Sequence, residues 1–276
     1  LLYRLNLSAK TANSFRAFEY NNRQTIAPVI SYQLDDNTVL TAEYILSKVK
    51  SSDVGSYYVF SSKGMGVLPR NFTIADPGLE PTLITDQSVT VNLKHRFNDH
   101  WTFTAQAAYL QYDQTGTSLW AASASADSMV RSQGLWDAAS TAKFGQAFLN
   151  GDFETGGVHH RVIIGLDAYD KEYFADFYNS HNLDLDDNQF KFADPSYGNP
   201  SNGYPAWDRS TPLRIRAGVY GTQTSMYTGI YVQDELGFFD NRLRLTLAGR
   251  YSYAKNDDYG SPEKAKEITP RAGISW

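Results

Sequence analysis

The sequence contains no cysteine, and this absence excludes a disulfide framework and a thiolate metal site. It also lacks any apolar run near the roughly 20 residues that a membrane-spanning helix requires. If the chain meets a bilayer, it must do so with strands in a barrel, because only helices and closed barrels satisfy every backbone polar group in lipid. The net charge of -5 and the lack of a basic stripe argue against a nucleic-acid partner.

What is present is a polar chain rich in amphipathic rings. The 276 residues have a mean hydropathy of -0.44, and aromatic residues make up 14%, with 19 Tyr. This length suits one large all-β domain or two smaller ones. The composition is typical of lipid-spanning barrels, in which every second residue faces a wet interior and tyrosines collect at the membrane interfaces.

The clearest stretch is a predicted hairpin over residues 227–253. Its second arm alternates between two faces, as a strand does and a helix does not. One face carries Leu243, Leu245, Leu247, Gly249, Tyr251 and Tyr253, and the other carries Arg244, Thr246, Ala248, Arg250 and Ser252. A soluble sandwich would also bury such a leucine face, so the hairpin alone does not decide between a sandwich and a barrel.

The connections between strands decide between a sandwich and a barrel. Strands are predicted at 1–10, 23–34, 39–48, 85–97, from Trp101 onward, at 140–153, 158–173, in the 227–253 hairpin, and from about 267 to 276. The connections alternate between short turns and longer segments, of which 49–84, 113–139 and 174–222 show no pattern and 11–22 and 254–266 are moderate loops. Successive connections of an up-and-down antiparallel sheet lie at opposite ends, so this pattern predicts a transmembrane β-barrel with one short-turn rim and one loop rim. About ten strands are visible, and a closed barrel requires more.

Several segments resemble, in order, the barrel of TonB-dependent siderophore receptors. They are YRLNLSAKTANSFRAF, IAPVISYQLDDNTVLTAEY, GDFETGGVHHRVIIGLDAY, YTGIYVQDELGFFDNRLRLTLAGRYSY and ITPRAGISW. The resemblance implies a barrel of about twenty-two strands around a plug domain, of which residues 1–276 are part of one barrel domain without plug or TonB-contacting box. It further implies a bacterial outer-membrane protein that binds a ferric siderophore and imports it with TonB, with no cofactor and with lipid around the barrel.

Two other functions stay open beside this one. A passive porin is the nearer alternative, although a porin usually folds one constricting loop inward. An outer-membrane hydrolase is the more distant one, because the sequence has neither G-x-S-x-G nor H-E-x-x-H. We therefore expect no enzyme activity. The cargo of a receptor could also be a cobalamin or a glycan.

Aromatic residues in the long segments are the candidate ligand contacts, because rings give large contact area at a small entropy cost. The alternative is that they pack loops together or form the upper aromatic girdle. The candidates are Tyr57, Tyr58, Phe60, Trp120, Trp136, Tyr173, Phe177 and Tyr178.

No metal site is predicted. Asp184, Asp186 and Asp187 lack the glycine and terminal glutamate of a calcium loop, so we expect a solvated acidic loop. His159 and His160 are adjacent on a strand and face opposite sides, so they cannot chelate one ion together. Inward charges are expected to form structural ion pairs with a plug, among them Arg4, Lys10, Glu43, Lys94, Arg96, Arg161, Asp167, Arg244, Arg250 and Arg271.

Overall fold

The computed structural model describes residues 1–53, 61–64 and 66–276, and most of them lie in strands. One short helix, α1 (Leu213–Ala217), precedes the last three strands. Among the described residues, no helix is both long and apolar enough to cross a membrane. The strands are β1 (Leu2–Lys10), β2 (Asn21–Asp35), β3 (Thr38–Ser51), β4 (Thr82–Arg96), β5 (Trp101–Thr115), β6 (Thr117–Ala124), β7 (Ser128–Leu135), β8 (Asp137–Thr155), β9 (Val158–Asp176), β10 (Ser180–Asn182), β11 (Phe190–Lys191), β12 (Thr222–Phe238), β13 (Leu243–Asp258) and β14 (Ser261–Ser275).

Ten of these strands form one sheet in the order β1-β2-β3-β4-β5-β8-β9-β12-β13-β14. Every neighbouring pair is antiparallel. The predicted all-β, up-and-down sheet of about ten strands is therefore confirmed. Within the described sheet β1 and β14 each pair with one neighbour, so the strands do not close on themselves.

The two faces of the sheet differ in chemistry, because the register aligns like residues across strands. On one face Leu166 pairs with Ala147 and Ile230, and Ile230 pairs with Tyr251. Ile230 is 60% exposed, and exposed apolar side chains continue along this face from β1 to β14. On the other face Gln146 pairs with Gln106 and Asp167. We call the first the outward face and the second the inward face, as the predicted alternation requires.

The connections also separate by rim. The short turns 36–37, 97–100, 156–157 and 239–242 lie at one end, as predicted. The predicted loop over 254–266 is wrong, because β13 continues to Asp258 and β14 begins at Ser261. Tyr259 and Gly260 have φ of 56° and 82°, the two positive values that a tight hairpin turn needs. The part of this hairpin within 254–266 is polar on both faces, so the sequence shows no alternation of apolar and polar residues there.

Three long connections at the loop rim fold together into one unit. We call this unit, made of the described parts of 52–81, 116–136 and 177–221, the outer cap. The expectation that 113–139 is patternless is wrong, because β6 and β7 form a hairpin there and β10 and β11 pair with β7. All three connections contribute to its buried core, which contains Phe72, Ile74, Leu119, Met129, Leu183 and Phe190.

A fully buried arginine joins the three connections. Arg131, on β7, donates from Nε and Nη2 to the two carboxylate oxygens of Asp184, each at 2.9 Å. Its Nη1 donates to Asp76 at 3.2 Å, and its guanidinium carbon lies 3.9 Å from the centre of the Phe190 ring. Arg131, Asp76 and Asp184 are at most 4% exposed. One side chain from 116–136 therefore binds carboxylates from both 52–81 and 177–221.

Asp76 is held by further donors from the third connection. The Gly198 amide donates to both of its oxygens, at 3.2 and 3.1 Å, and the Tyr204 hydroxyl donates to it as well. Burial and this bond to Asp76 raise the pKa of Tyr204 to about 12, so the hydroxyl keeps its proton and stays a donor. Tyr197 donates to the Thr73 carbonyl at 2.8 Å.

A second group of charges fixes the cap to the ends of the strands. Asp137, the first residue of β8, accepts bonds from Arg209 at 2.9 Å and from Arg216 at 2.8 Å. Arg216 also pairs with Asp176, the last residue of β9, and Arg209 pairs with Glu80 at 3.0 Å. The cap is thus tied to two adjacent strands by buried or half-buried ion pairs.

We expect Arg131→Met to destabilise the outer cap by about 3–5 kcal/mol, because it leaves two buried carboxylates without a counter-charge. The reporter is hydrogen exchange of the Leu183 amide, which donates to the Arg131 carbonyl and is retained in the variant. Lys63→Met is the matched control, since it removes the exposed pair of Lys63 with Asp127 and should cost at most about 1 kcal/mol. Equal exchange protection in the two variants would contradict this account.

Candidate functional site

The inward face carries a pocket of about 820 Å³ beneath the loop rim. Its size lies in the range of about 300–1,000 Å³ usual for ligand sites. Polar and aromatic side chains of six neighbouring strands line it, among them Thr90, Gln106, Phe144, Gln146, Asp167, Tyr169, Tyr227 and Arg250. The wall below the outer cap is therefore partly polar and partly aromatic.

Arg250 is the central charge of this pocket. Its Nη2 donates to Asp167 at 2.7 Å, and its Nε donates to the Tyr227 hydroxyl at 2.8 Å. Its guanidinium carbon lies 5.3 Å from the ring centres of both Tyr227 and Tyr231. Arg250 and Asp167 were expected to form ion pairs with a plug. In the structure they form an ion pair with each other, within the wall.

The predicted ligand residues Phe177 and Tyr178 lie together at the loop rim. Their ring centres are 4.7 Å apart, and the side chains are 44% and 51% exposed. Desolvation raises the pKa of Tyr178, and the nearby Tyr259, Asp176 and Tyr220 add to the rise. An exposed aromatic patch therefore stands just above the end of β9.

The other predicted residues are more dispersed. Trp120 lies on β6 and is 44% exposed, and Tyr173 lies on the inward face of β9. Trp136 follows β7 and is partly buried, and a bond from the Leu135 amide to the Asn179 carbonyl brings its segment beside that of Tyr178. Tyr57, Tyr58 and Phe60 lie outside the described residues.

The residues that sequence reasoning missed are the charges inside the cap. Asp184 was expected in a solvated loop, and this is wrong because it is buried against Arg131; Asp186 and Asp187 are exposed as expected. Arg131 alternates with the buried Met129 and Gln133 on one face of β7. An arginine on the same strand face as Met129 was the sequence feature that could have indicated a buried ion pair.

Histidines lie in separate hydrogen-bonded settings. His159 bonds Asp152 at 2.7 Å and Asn241 at 3.1 Å, whereas His160 bonds Asp234 at 2.8 Å on the opposite face. In the part of the chain that the structure describes, no cluster of three or more His, Asp and Glu side chains is arranged to hold a metal ion.

Asp53 is a buried carboxyl at the base of the cap, just after β3. One of its oxygens accepts a bond from Gln133 at 2.7 Å, and Gln133 also donates to Thr117 at 3.0 Å. Burial raises the pKa of Asp53 to about 6, against the lowering effect of the bonds from Gln133 and Thr117. This carboxyl therefore changes charge close to neutral pH.

We expect Asp53→Asn to make the cap more stable than wild type at pH 7.5, by on the order of 2 kcal/mol. The pKa of Asp53 is about 6 in the folded protein and about 3.9 in the unfolded chain. Below about pH 3.9 the carboxyl is protonated in both states and does not lower the stability of the cap. As the pH rises through about 6, the buried carboxyl loses its proton and the cap loses stability. Asparagine keeps a neutral acceptor for Gln133 at every pH. Urea titrations followed by tryptophan fluorescence, with Trp120 and Trp136 in the cap, should show the difference at pH 7.5 and not at pH 4. A difference of equal size at both pH values would contradict this.

Comparison with known proteins identifies the family of this chain. The family described as TonB dependent receptor-like, beta-barrel, matches residues 7–276. The metal-pseudopaline receptor CntO of Pseudomonas aeruginosa is 25% identical over 280 residues, covering 100% of this chain and 39% of the relative. The ferrichrome outer membrane transporter/phage receptor of Escherichia coli is 24% identical over 326 residues, covering 99% and 39%. The chain thus spans about 39% of the length of these relatives.

A solved structure shares the fold. The ferric preacinetobactin receptor BauA of Acinetobacter baumannii superposes with a TM-score of 0.75 at 14% identity, over 99% of this chain and 40% of that one. The resemblance drawn from the strand segments and the predicted location in the outer membrane are both confirmed. With residues 7–276 matched, this chain belongs to the TonB-dependent receptor β-barrel family of the bacterial outer membrane.

Proposed function

We propose that the protein binds a ferric siderophore at its outer cap and imports it across the outer membrane with energy delivered by TonB. The observation that carries this proposal is that three long connections form one folded unit at the loop rim, above a polar pocket of the inner wall. A ligand held by the cap would lie over that pocket. In this proposal residues 1–276 are part of a single barrel domain.

The names of relatives support a metal chelate as the ligand. One relative is named for metal-pseudopaline, another for ferrioxamine and a third for ferrichrome. The cap is compatible with such a ligand, because exposed rings give large contact area without much loss of rotamer freedom. We propose that the protein acts as a receptor and transporter, with no chemical step of its own.

Within the cap, Phe177 and Tyr178 are the strongest candidates for ligand contact, because their ring centres lie 4.7 Å apart and both side chains remain about half exposed. Trp136 lies on the neighbouring segment, and we propose that it extends the same surface. Trp120 and Tyr173 are proposed as peripheral contacts. The same role is proposed for Tyr57, Tyr58 and Phe60 from their sequence positions alone.

A passive porin is less well supported. A porin needs an open lumen constricted by one inward loop, whereas here the long connections share a core and are fixed to β8 and β9 by Asp137 and Asp176. A hydrolase is less well supported too, because neither G-x-S-x-G nor H-E-x-x-H occurs in the sequence.

We expect Phe177→Ala/Tyr178→Ala in the full-length protein to weaken ferric siderophore binding by about tenfold or more, since tyrosine is enriched among the contacts whose truncation costs about 2 kcal/mol or more. Fluorescence-quenching titrations with ferrioxamine, ferrichrome and a ferric catecholate would identify the ligand and measure the loss. Uptake of iron-55 from the tightest ligand should require the protein and an intact TonB.

Phe239→Ala is the control for this pair, because Phe239 is an exposed ring, 67% accessible, in a turn of the opposite rim. It should leave binding unchanged. Binding of none of the three ferric siderophores by the wild-type protein, together with iron uptake that is the same without it, would contradict the proposed function. Unchanged affinity in the double variant would instead remove only the assigned contacts.

A further inference from the structure

A glycine on the inward face lets a long side chain lie flat against the wall. Gly229, on β12, lies directly between Asp167 of β9 and Ser252 of β13. The guanidinium of Arg250 crosses this glycine from β13 and donates to the two Asp167 oxygens at 2.7 and 3.0 Å. A β-carbon at Gly229 would overlap Nη2 of Arg250 and lie 2.7 Å from its Cζ. A side chain at Gly229 would therefore push Arg250 away from Asp167.

Gly165 accommodates a second side chain in the same way. Its cross-strand partner on β12 is Tyr231. A β-carbon at Gly165 would overlap the Tyr231 hydroxyl and lie 2.8 Å from Cβ of Phe148 on β8. The guanidinium carbon of Arg250 lies 5.3 Å from the Tyr231 ring centre, so the two side chains pack against each other. Both side chains thus cover the wall and do not project into the interior.

Beside these two side chains the wall is concave. The 820 Å³ pocket is joined by a second pocket of about 460 Å³, and the two share Phe144 and Tyr169, whose ring centres lie 4.7 Å apart. We call the two pockets together the wall cleft. Along β9 it runs from Lys171 in the upper pocket to Asp167 in the lower one. Because β9 ends at Asp176, where the outer cap is fixed, the cleft leads down from the cap.

Polar groups of the lower pocket are paired with one another. Besides the pair of Arg250 with Asp167, Gln146 donates to Gln106 at 2.8 Å. A permanently docked domain is held by hydrogen bonds across its interface, and groups that are already paired within the wall offer fewer of these. A path for a moving ligand, by contrast, must bind it weakly enough to release it. The pairing therefore favours passage of a ligand over docking of a domain.

We propose that the wall cleft is the path by which a ferric siderophore leaves the outer cap, and that Gly229 and Gly165 are positioning residues that keep this path open. The inference rests on the proposed function, because it needs an imported ligand. Arg250 lines the cleft, so a side chain at Gly229 would turn its guanidinium into the path. A side chain at Gly165 would do the same with the ring of Tyr231.

The test compares binding with import in the full-length receptor, using whichever of ferrioxamine, ferrichrome and the ferric catecholate binds most tightly, labelled with iron-55. Gly229→Ala should keep the dissociation constant within about twofold of wild type and slow import at saturating ligand by about tenfold, because overpacking displaces Arg250 into the path and leaves the cap unchanged. Adding Arg250→Ala should restore import to the rate of Arg250→Ala alone, since no displaced guanidinium remains. A general folding defect would not be rescued by a second truncation.

Gly145→Ala is the matched control. Gly145 lies on β8 between two cleft residues but faces outward, and a β-carbon there meets no atom within 4 Å. This variant should match wild type in both measurements. Assembly of each variant is checked by heat-dependent gel mobility. If Gly229→Ala does not assemble, Gly165→Ala takes its place, with Tyr231→Ala as the rescue.

Three results would overturn the proposed path: import by Gly229→Ala at the wild-type rate, no rescue by Arg250→Ala, or entry of vancomycin through Gly229→Ala in cells that exclude it with wild type. The last result would show that the cleft seats the plug. If wild type neither binds nor imports any of the three ligands, the proposed function fails together with the path. If wild type imports its ligand and Gly229→Ala imports it equally well, only the path is wrong.

Discussion

Backbone amides and carbonyls in hydrocarbon must be paired within the protein, and the ten-stranded sheet of this chain is arranged around that constraint. From β8 through β9 and β12 to β13 the pairing runs without a register shift. Because side chains alternate along a strand, an unbroken register keeps Leu166 and Ile230 on the lipid side and Asp167 and Arg250 on the other. A shift of one residue would place these charges in lipid.

Above the membrane a different interaction sets the structure. The outer cap is surrounded by water, so it needs a core of its own, and long connections supply few apolar residues for one. Arg131 stabilises this core because it pairs with Asp76 and Asp184 in a region that solvent does not reach. A buried ion network is strongly directional, and breaking it is costly. The wall is therefore ordered by an unbroken register between an apolar and a polar face, and the cap by paired charges around a small core.

Sequence reasoning succeeded where the lipid imposes a pattern. Leu243, Leu245 and Leu247 alternate with polar residues along β13, so that strand was visible without a structure. It failed where both faces of a strand meet water, as in the stretch around Tyr259. It also failed for Asp184, because the partner that buries this carboxylate lies 53 residues away and no local pattern indicates it.

The predicted ligand contacts show the same difference between what a local sequence pattern indicates and what depends on the tertiary fold. Aromatic residues in long connections are visible in any sequence, but their grouping depends on how the connections fold. Phe177 and Tyr178 are neighbours in the sequence, and the pairing of Arg216 with Asp176 and Asp137 fixes the end of β9, just before them, against the cap. Trp120 lies on a separate strand of the cap.

The central claim, that one face of the sheet meets lipid and the other does not, is tested most directly by site-directed spin labelling along β12. This chain has no cysteine of its own, so each introduced cysteine between residues 226 and 234 gives one label in it. In bilayers, labels at Thr228, Ile230 and Val232 should be accessible to oxygen dissolved in lipid, and labels at Gly229, Tyr231 and Gln233 should not. Accessibility without a two-residue period, or with the opposite phase, would contradict the account.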